Sequence, residues 1–198
     1  MSGEKRTYTK KARAEAEEAT RLRITESAVA LHGSLGPART SISAIAEHAG
    51  VRRSTVYRHF ADEAAIFDAC SSHWSAQNPP PDVSEMLAIA DPSERTRAVL
   101  KAMYAWYRRT ERMLANLLRD EAVVPVVRER FRTYHEFLAS LRESLLAGRG
   151  LRGRTRRRSE AAIGHALAFA TWQSLARDGD LSDTEAAELM TALVDSAR

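Results

Sequence analysis

Between residues 41 and 60 the chain reads SISAIAEHAGVRRSTVYRHF, and its polar side chains are of the kinds that bind a polyanion. The guanidinium groups of Arg52, Arg53 and Arg58 can fork onto a phosphate, or onto guanine O6 and N7. The hydroxyls of Ser54, Thr55 and Tyr57 and the ring N–H of His59 each donate single bonds of the sort phosphate oxygens accept. The apolar residues between them have helical spacing. Ile42, Ile45, Ala46 and Ala49 fall on one face of a short helix capped by Ser41, Gly50 supplies the positive φ of a tight turn, and a second short helix follows over 52–59. Ala46 leaves room for a close crossing, while Val51, Val56 and Phe60 pack the pair onto a preceding helix. The polar remainder is left to face a major groove. This is the layout of a helix-turn-helix. For Tyr57 and His59 a half-buried core role stands beside the binding role.

The elements that must position this segment all read as helices; strict alternation is absent, so the expected fold is all-α. Residues 1–9 read as a disordered arm. A first helix over 10–32 carries Ile24, Ala28 and Leu31 on one face, and Gly33 and Gly36-Pro37 end it. Asp62 caps a fourth helix with Ile66, Phe67, Cys70 and Trp74, which connects over 61–78 to a linker at Asn78-Pro-Pro-Pro81. A helical C-terminal domain follows over 83–198. It comprises a short segment over 83–90, a helix opened by Asp91-Pro92-Ser93-Glu94, another over 111–119, a long one from Pro125 to Leu146, then helices over 158–177 and 182–197. Gly148, Gly150 and Gly153 mark a flexible basic loop.

The run IAEHAGVRRSTVYRHF, followed by an acidic cap and Ile66-Phe67, resembles the DNA-binding domain of the tetracycline-repressor (TetR) family. The resemblance implies three N-terminal helices forming a DNA-binding domain over 10–60, a linking fourth helix, and a C-terminal bundle that binds a small effector and dimerises through its last two helices. It also implies that Arg53, Ser54 and Ser43 approach base edges while Ser41, Thr55, Tyr57 and His59 contact phosphates. Arg52 and Arg58 complete the expected DNA-binding set, and Lys10, Lys11 and Arg13 add charge before the first helix. Two positions depart from the family pattern: Arg52 stands where a capping serine is common, and Glu63 where a phosphate-binding lysine is common. Glu63 is expected to turn away from DNA.

Charge agrees with a polyanion partner at the N-terminal end. Residues 1–60 hold 11 Lys or Arg against 6 Asp or Glu, and the remainder 19 against 20; phosphate neutralisation favours the basic module. The run 149–158 holds six of those 19 and reads as a solvated loop. For an effector pocket the candidates are Met103, Tyr104, Trp106, Tyr107, Met113, Asn116, Phe131, His135 and Trp172, aromatic and Met side chains with a few polar groups. For a dimer interface they are Ala162, His165, Ala166, Phe169, Ala170 and Leu175, with Leu189, Leu193 and Val194. Each of these equally suits an internal core.

One cysteine, Cys70, leaves no disulfide framework; with His73 it lacks a second ligand pair, so no metal or cofactor is expected. GxSxG, Walker and HExxH motifs are absent, and no catalytic residues are assigned. No apolar run approaches the roughly 20 residues of a membrane span, and the polar start lacks a secretory signal, so the expected place is the cytoplasm. The expected function is a sequence-specific, homodimeric transcriptional regulator, a repressor bound to a palindromic duplex operator and released by a small-molecule effector of unknown identity. The alternative is a helical ligand-binding or adaptor protein whose basic end meets a protein.

Overall fold

A computed structural model describes the backbone of residues 2–197, with side chains from Lys11 onward. Among the described residues there are ten α-helices and no strand. The chain divides into two compact units, Met1–Pro79 with Arg112–Glu129, and Pro80–Glu111 with Arg130–Arg198.

In the first unit, α1 (Ser2–Ser34) is followed by a 3-10 turn (Pro37–Arg39), α2 (Ile42–His48), α3 (Arg53–His59) and α4 (Glu63–Gln77). Residues 2–9 open α1, where an irregular arm had been expected. The side chain of Lys10 lies outside the described residues. Ile24 and Ala28 are fully buried, and α2, α3 and α4 close over them with Ile45, Ala46, Val56, Phe60, Ile66 and Phe67. The Ile, Val and Phe side chains among them each contribute about 1.5–3 kcal/mol when removed from water. Local chemistry sets the boundaries. Ser41 accepts the N–H of Ala44 (3.1 Å), and Asp62 accepts that of Ala65 (2.8 Å). After Ala49 the chain turns by a Schellman motif, in which Val51 N–H donates to the Ala46 carbonyl and Gly50 N–H to that of Glu47, with Gly50 at φ 64°.

The C-terminal turns of α6 (Pro92–Asp120) complete this unit, together with the start of α7 (Pro125–Leu146). A single 29-residue α6 replaces the two helices expected there. Arg108 and Arg109 sit on its exposed side, Thr110 is buried and donates its hydroxyl to the Trp106 carbonyl (2.6 Å), and the inward spacing continues unbroken from Tyr107 to Leu114.

The second unit holds α5 (Ser84–Leu87), shorter than the 83–90 expected, and most of α6 and α7. It also holds α8 (Gly153–Leu167), α9 (Phe169–Gln173), a π-helical turn (Ser174–Asp178) and α10 (Asp183–Ser196). Two arginines stitch it together. Arg95 donates to the carbonyls of Ile89 (2.9 Å) and Ala147, and Arg149 donates to Leu145 (3.0 Å), Thr96 (2.6 Å) and the Asp195 carboxylate (2.7 Å). Between them they satisfy carbonyls that the end of α7 leaves open. The basic run 149–158 is therefore no loop throughout: Arg149 is a buried anchor, and 153–158 are helical. The helix expected over 158–177 breaks at Ala168, whose ψ is 134°. The break frees the carbonyls of Ala166 and Leu167, and the buried hydroxyls of Tyr104 and Tyr107 donate to them, each at 2.7 Å. At the start of α10, Ser182 and Glu185 form the expected capping box.

Candidate nucleic-acid interface

At 100° per residue, the seven residues of α3 divide cleanly. Val56 points inward, fully buried, and Arg53, Ser54, Tyr57 and Arg58 share the exposed side. Thr55 and His59 flank the buried stripe and are half-buried. Phe60, 2% exposed, anchors the end of the helix in the core. The whole of α3 thus spends its apolar residues on fixing its own position and turns its donors outward.

Those donors are partly organised. The Arg53 guanidinium donates to the Tyr57 hydroxyl (3.2 Å) and lies 5.5 Å from that ring's centroid, one turn apart on the helix. That hydrogen bond, helped by the charge of Glu63, holds the Arg53 pKa above its ordinary value. Tyr57 remains 41% exposed, which decides against the core role weighed for it. Arg52 occupies the N-cap of α3 without a side-chain cap bond, as its type dictates, and is free to point outward. On α2, Ser43 is exposed; Ser41 uses one lone pair for its cap and keeps its O–H to donate.

His59 is placed differently. Its Nε2 is closed off from solvent without a hydrogen-bond partner, so the phosphate contact implied for it falls to Nδ1 or to a flipped ring. The residue that fixes this end of α3 was not singled out in the sequence: Arg21 of α1 donates to the His59 carbonyl (2.6 Å) and lies 4.2 Å from the Phe60 ring centroid. Its partners stand 38 and 39 positions away, and no local pattern signals them.

Behind the interface lies a polar junction that was also missed. Asn116 donates to the carbonyls of His32 (3.0 Å) and Gly33 (2.9 Å), Arg119 to that of Leu35 (2.9 Å), and Asp120 accepts the N–H of Ala38 (3.0 Å). The end of α6 therefore grips the end of α1 and the turn that leads to the Ser41 cap. Gly36, at φ 92°, passes so close to Arg119 and Asp120 that a Cβ would overlap both side chains. Burial raises the Asp120 pKa, but hydrogen bonds from Arg119 and Ala38 outweigh it and hold the carboxyl below its ordinary range. Nearby, burial lowers the His32 pKa to about 4, against a smaller upward pull from Asp120, and pushes the Cys70 thiol up to about 12; the two atoms meet at 3.4 Å as neutral groups. His73, half-buried, is hydrogen-bonded to Gln77 at 2.9 Å. Among the described residues no cluster of three metal-ligating side chains occurs.

The pocket candidates separate. Met113 and Asn116 belong to the first unit, where Asn116 spends its amide on α1 and Met113 packs beside Gly33. In the second unit Met103, Tyr104, Trp106, Tyr107, Phe131 and Trp172 are buried, and His135 is exposed. Tyr107 is the hub of this aromatic group, with Trp106, Phe169 and Trp172 rings at 5.5, 5.4 and 6.0 Å and the Tyr134 hydroxyl at 3.1 Å. The interface candidates separate too: Ala166, Phe169 and Val194 are core within one chain, Ala162 and Leu175 are half-buried, and His165, Ala170, Leu189 and Leu193 are exposed. No helix among the described residues is long and apolar enough to cross a membrane.

Residues 24–70 match the family of bacterial regulatory proteins, tetR family. Several solved structures share the fold. NalD of Pseudomonas aeruginosa, the secondary repressor of the MexAB-OprM multidrug efflux pump, is 24% identical over 92% of this chain and 96% of its own, with a TM-score of 0.61. A TetR-like transcriptional regulator from Rhodococcus sp. RHA1 is 20% identical over 88% of this chain and 93% of its own (TM-score 0.58). A TetR family transcription regulator from Marinobacter aquaeolei VT8 is 17% identical over 93% and 97% (TM-score 0.54). Comparison with curated proteins gives no match.

Proposed function

We propose, from the premise that this chain carries a tetR-family DNA-binding domain on the fold of the tetR-family regulators, that it is a sequence-specific transcriptional repressor released by a small-molecule effector. The observation that carries the reading is the exposed side of α3, where Arg53, Ser54, Tyr57 and Arg58 stand together on a helix held by Val56 and Phe60. Arg53 and Ser54 read base edges, with Ser43 beside them. Ser41, Thr55, Tyr57 and Arg58 hold phosphates and so set the register without reading sequence. Two copies on a palindrome place their α3 helices about one turn of B-DNA apart, roughly 34 Å.

Release follows from α6, which contributes Pro92–Glu111 to the unit with the aromatic group and Arg112–Asp120 to the unit with the DNA interface. An effector among Met103, Tyr104, Trp106, Tyr107, Phe131 and Trp172, apolar and aromatic with a few hydroxyls, favours the released state by a differential on the order of 1–3 kcal/mol. NalD, a repressor of an efflux pump, is similar in fold and supports repression as the sense of regulation.

Selection from a pool of random duplexes at moderate salt tests the reading. An enriched palindrome is expected, weakened evenly across sequences by Tyr57→Phe and relaxed at defined positions by Arg53→Ala. Absence of enrichment, with wild type and both variants alike, refutes it.

A further inference from the structure

Residues 165–171, HALAFAT, contain neither proline nor glycine, and alanine and leucine are among the strongest helix formers. Nothing in this local sequence asks for the break between α8 and α9, where Ala168 leaves the helix at φ −71° and ψ 134°. A helix also breaks where side chains insert into its ladder, and here two do. Tyr104 and Tyr107, one turn apart on α6 and fully buried, donate their hydroxyls to the Ala166 and Leu167 carbonyls. In an unbroken helix those carbonyls would accept the N–H groups of Ala170 and Thr171. Thr171 N–H turns instead to the Ala168 carbonyl (3.1 Å), and Ala170 N–H is one of the opening N–H groups of α9, which have no acceptor within their own helix.

The broken and the unbroken arrangement are balanced in hydrogen bonds. Open, the two carbonyls are paired with tyrosine; closed, they are paired with the backbone. On closure Tyr107 keeps the Tyr134 hydroxyl at 3.1 Å as its partner, so one incoming acceptor, at Tyr104, completes the exchange. Length is balanced as well. An extended residue spans about 3.3 Å against about 1.5 Å in a helix, so closure shortens the segment by about 2 Å. Directly downstream lies the π-helical turn Ser174–Asp178, closed by Gly179 N–H on the Ser174 carbonyl (2.9 Å). A π turn rises less per residue than an α turn, so relaxing it to α returns that length. Between the two irregularities sits α9, which carries Phe169 and Trp172 of the aromatic group.

We infer that residues 167–171 form a two-state joint: open while the hydroxyls of Tyr104 and Tyr107 hold the Ala166 and Leu167 carbonyls, and closed into one helix when another acceptor takes the Tyr104 hydroxyl. The acceptor has a definite chemistry, an oxygen such as a carbonyl or ether carried by an otherwise apolar molecule that lies among the rings. That this molecule is the effector rests on the functional reading above. Closure then shifts Phe169 and Trp172 against Tyr107, which gives such a ligand different contacts in the two states, as any population shift requires.

Residue-resolved hydrogen exchange of the whole chain tests the joint without DNA, so its outcome is separate from that of the functional reading. In Tyr104→Phe/Tyr107→Phe both hydroxyls are gone, and the closed helix is the arrangement that pairs both carbonyls. The amide of Ala170, an exposed residue, is expected to exchange on the order of tenfold or more slowly than in wild type. Tyr134→Phe removes a hydroxyl from the same group and touches neither carbonyl, so it should leave that amide at the wild-type rate. Where the double variant melts too low for the measurement, Tyr104→Phe alone frees the Ala166 carbonyl that Ala170 would take, and is read at the same amide. Exchange at Ala170 as fast as wild type in a variant that melts cooperatively overturns the joint and leaves the break fixed by packing around Phe169 and Trp172. Equal slowing in Tyr134→Phe overturns the part assigned to the two hydroxyls.

Discussion

Arg53 is held by Tyr57 one turn later, so in the proposed base-reading role its fork would reach a base edge with part of its freedom already lost. Lysine at 53 keeps the charge and loses the fork. Arg53→Lys is expected to retain non-specific affinity while losing about 1–3 kcal/mol of discrimination at the base it reads, measured by competition between operator variants. Equal discrimination by the variant contradicts the base-reading role. His32 gives a second prediction, in pH. Its folded pKa is about 4 against an ordinary 6.5, so above pH 6.5 both states hold a neutral ring and nothing is lost. As the pH falls from 6.5 to 4 the unfolded chain takes up a proton that the folded chain refuses. Stability then falls by about 1.4 kcal/mol per pH unit, to a total of about 3 kcal/mol. The depressed Asp120 group acts below that window. Urea unfolding of wild type and His32→Leu between pH 4 and 7 should give a steeper loss for wild type; parallel slopes contradict the assignment.

Among elements, the two glycines that flank α2 separate two costs. Gly50 sits at φ 64° with open space around it, so Gly50→Ala is expected to cost only the left-handed conformation, about 1–2 kcal/mol. Gly36→Ala adds an overlap with Arg119 and Asp120 and should lower the melting temperature further. Equal losses would mean that the end of α6 does not grip the turn. The glycine turn and the caps at Ser41, Asp62 and Ser182 were legible in the sequence because a cap is decided by residues three apart. α6 was misdivided because the exposed pair Arg108-Arg109 reads locally as an interruption, whereas the buried Thr110 satisfies its hydroxyl on Trp106. The break at Ala168 was invisible, since the tyrosines that accommodate it stand 60 and 62 residues earlier. Asn116 shows the same limit: its sequence surroundings suit a pocket wall, while its partners, the carbonyls of His32 and Gly33, stand more than 80 residues earlier.

For the molecule as a whole, the proposed function uses the α3 surface twice. On the proposed function, residues 41–59 of each chain contact one half-site, and affinity for the full operator comes from joining two such contacts through a dimer. Fluorescence anisotropy of the selected palindrome, and of the same duplex with one half-site scrambled, tests this most directly when repeated across a salt series. Tight binding of the palindrome is expected, with at least about a hundredfold weaker binding of the half-scrambled duplex and a linear fall of log affinity with log salt for both. Equal affinity for the two duplexes, or affinity indifferent to salt, contradicts it.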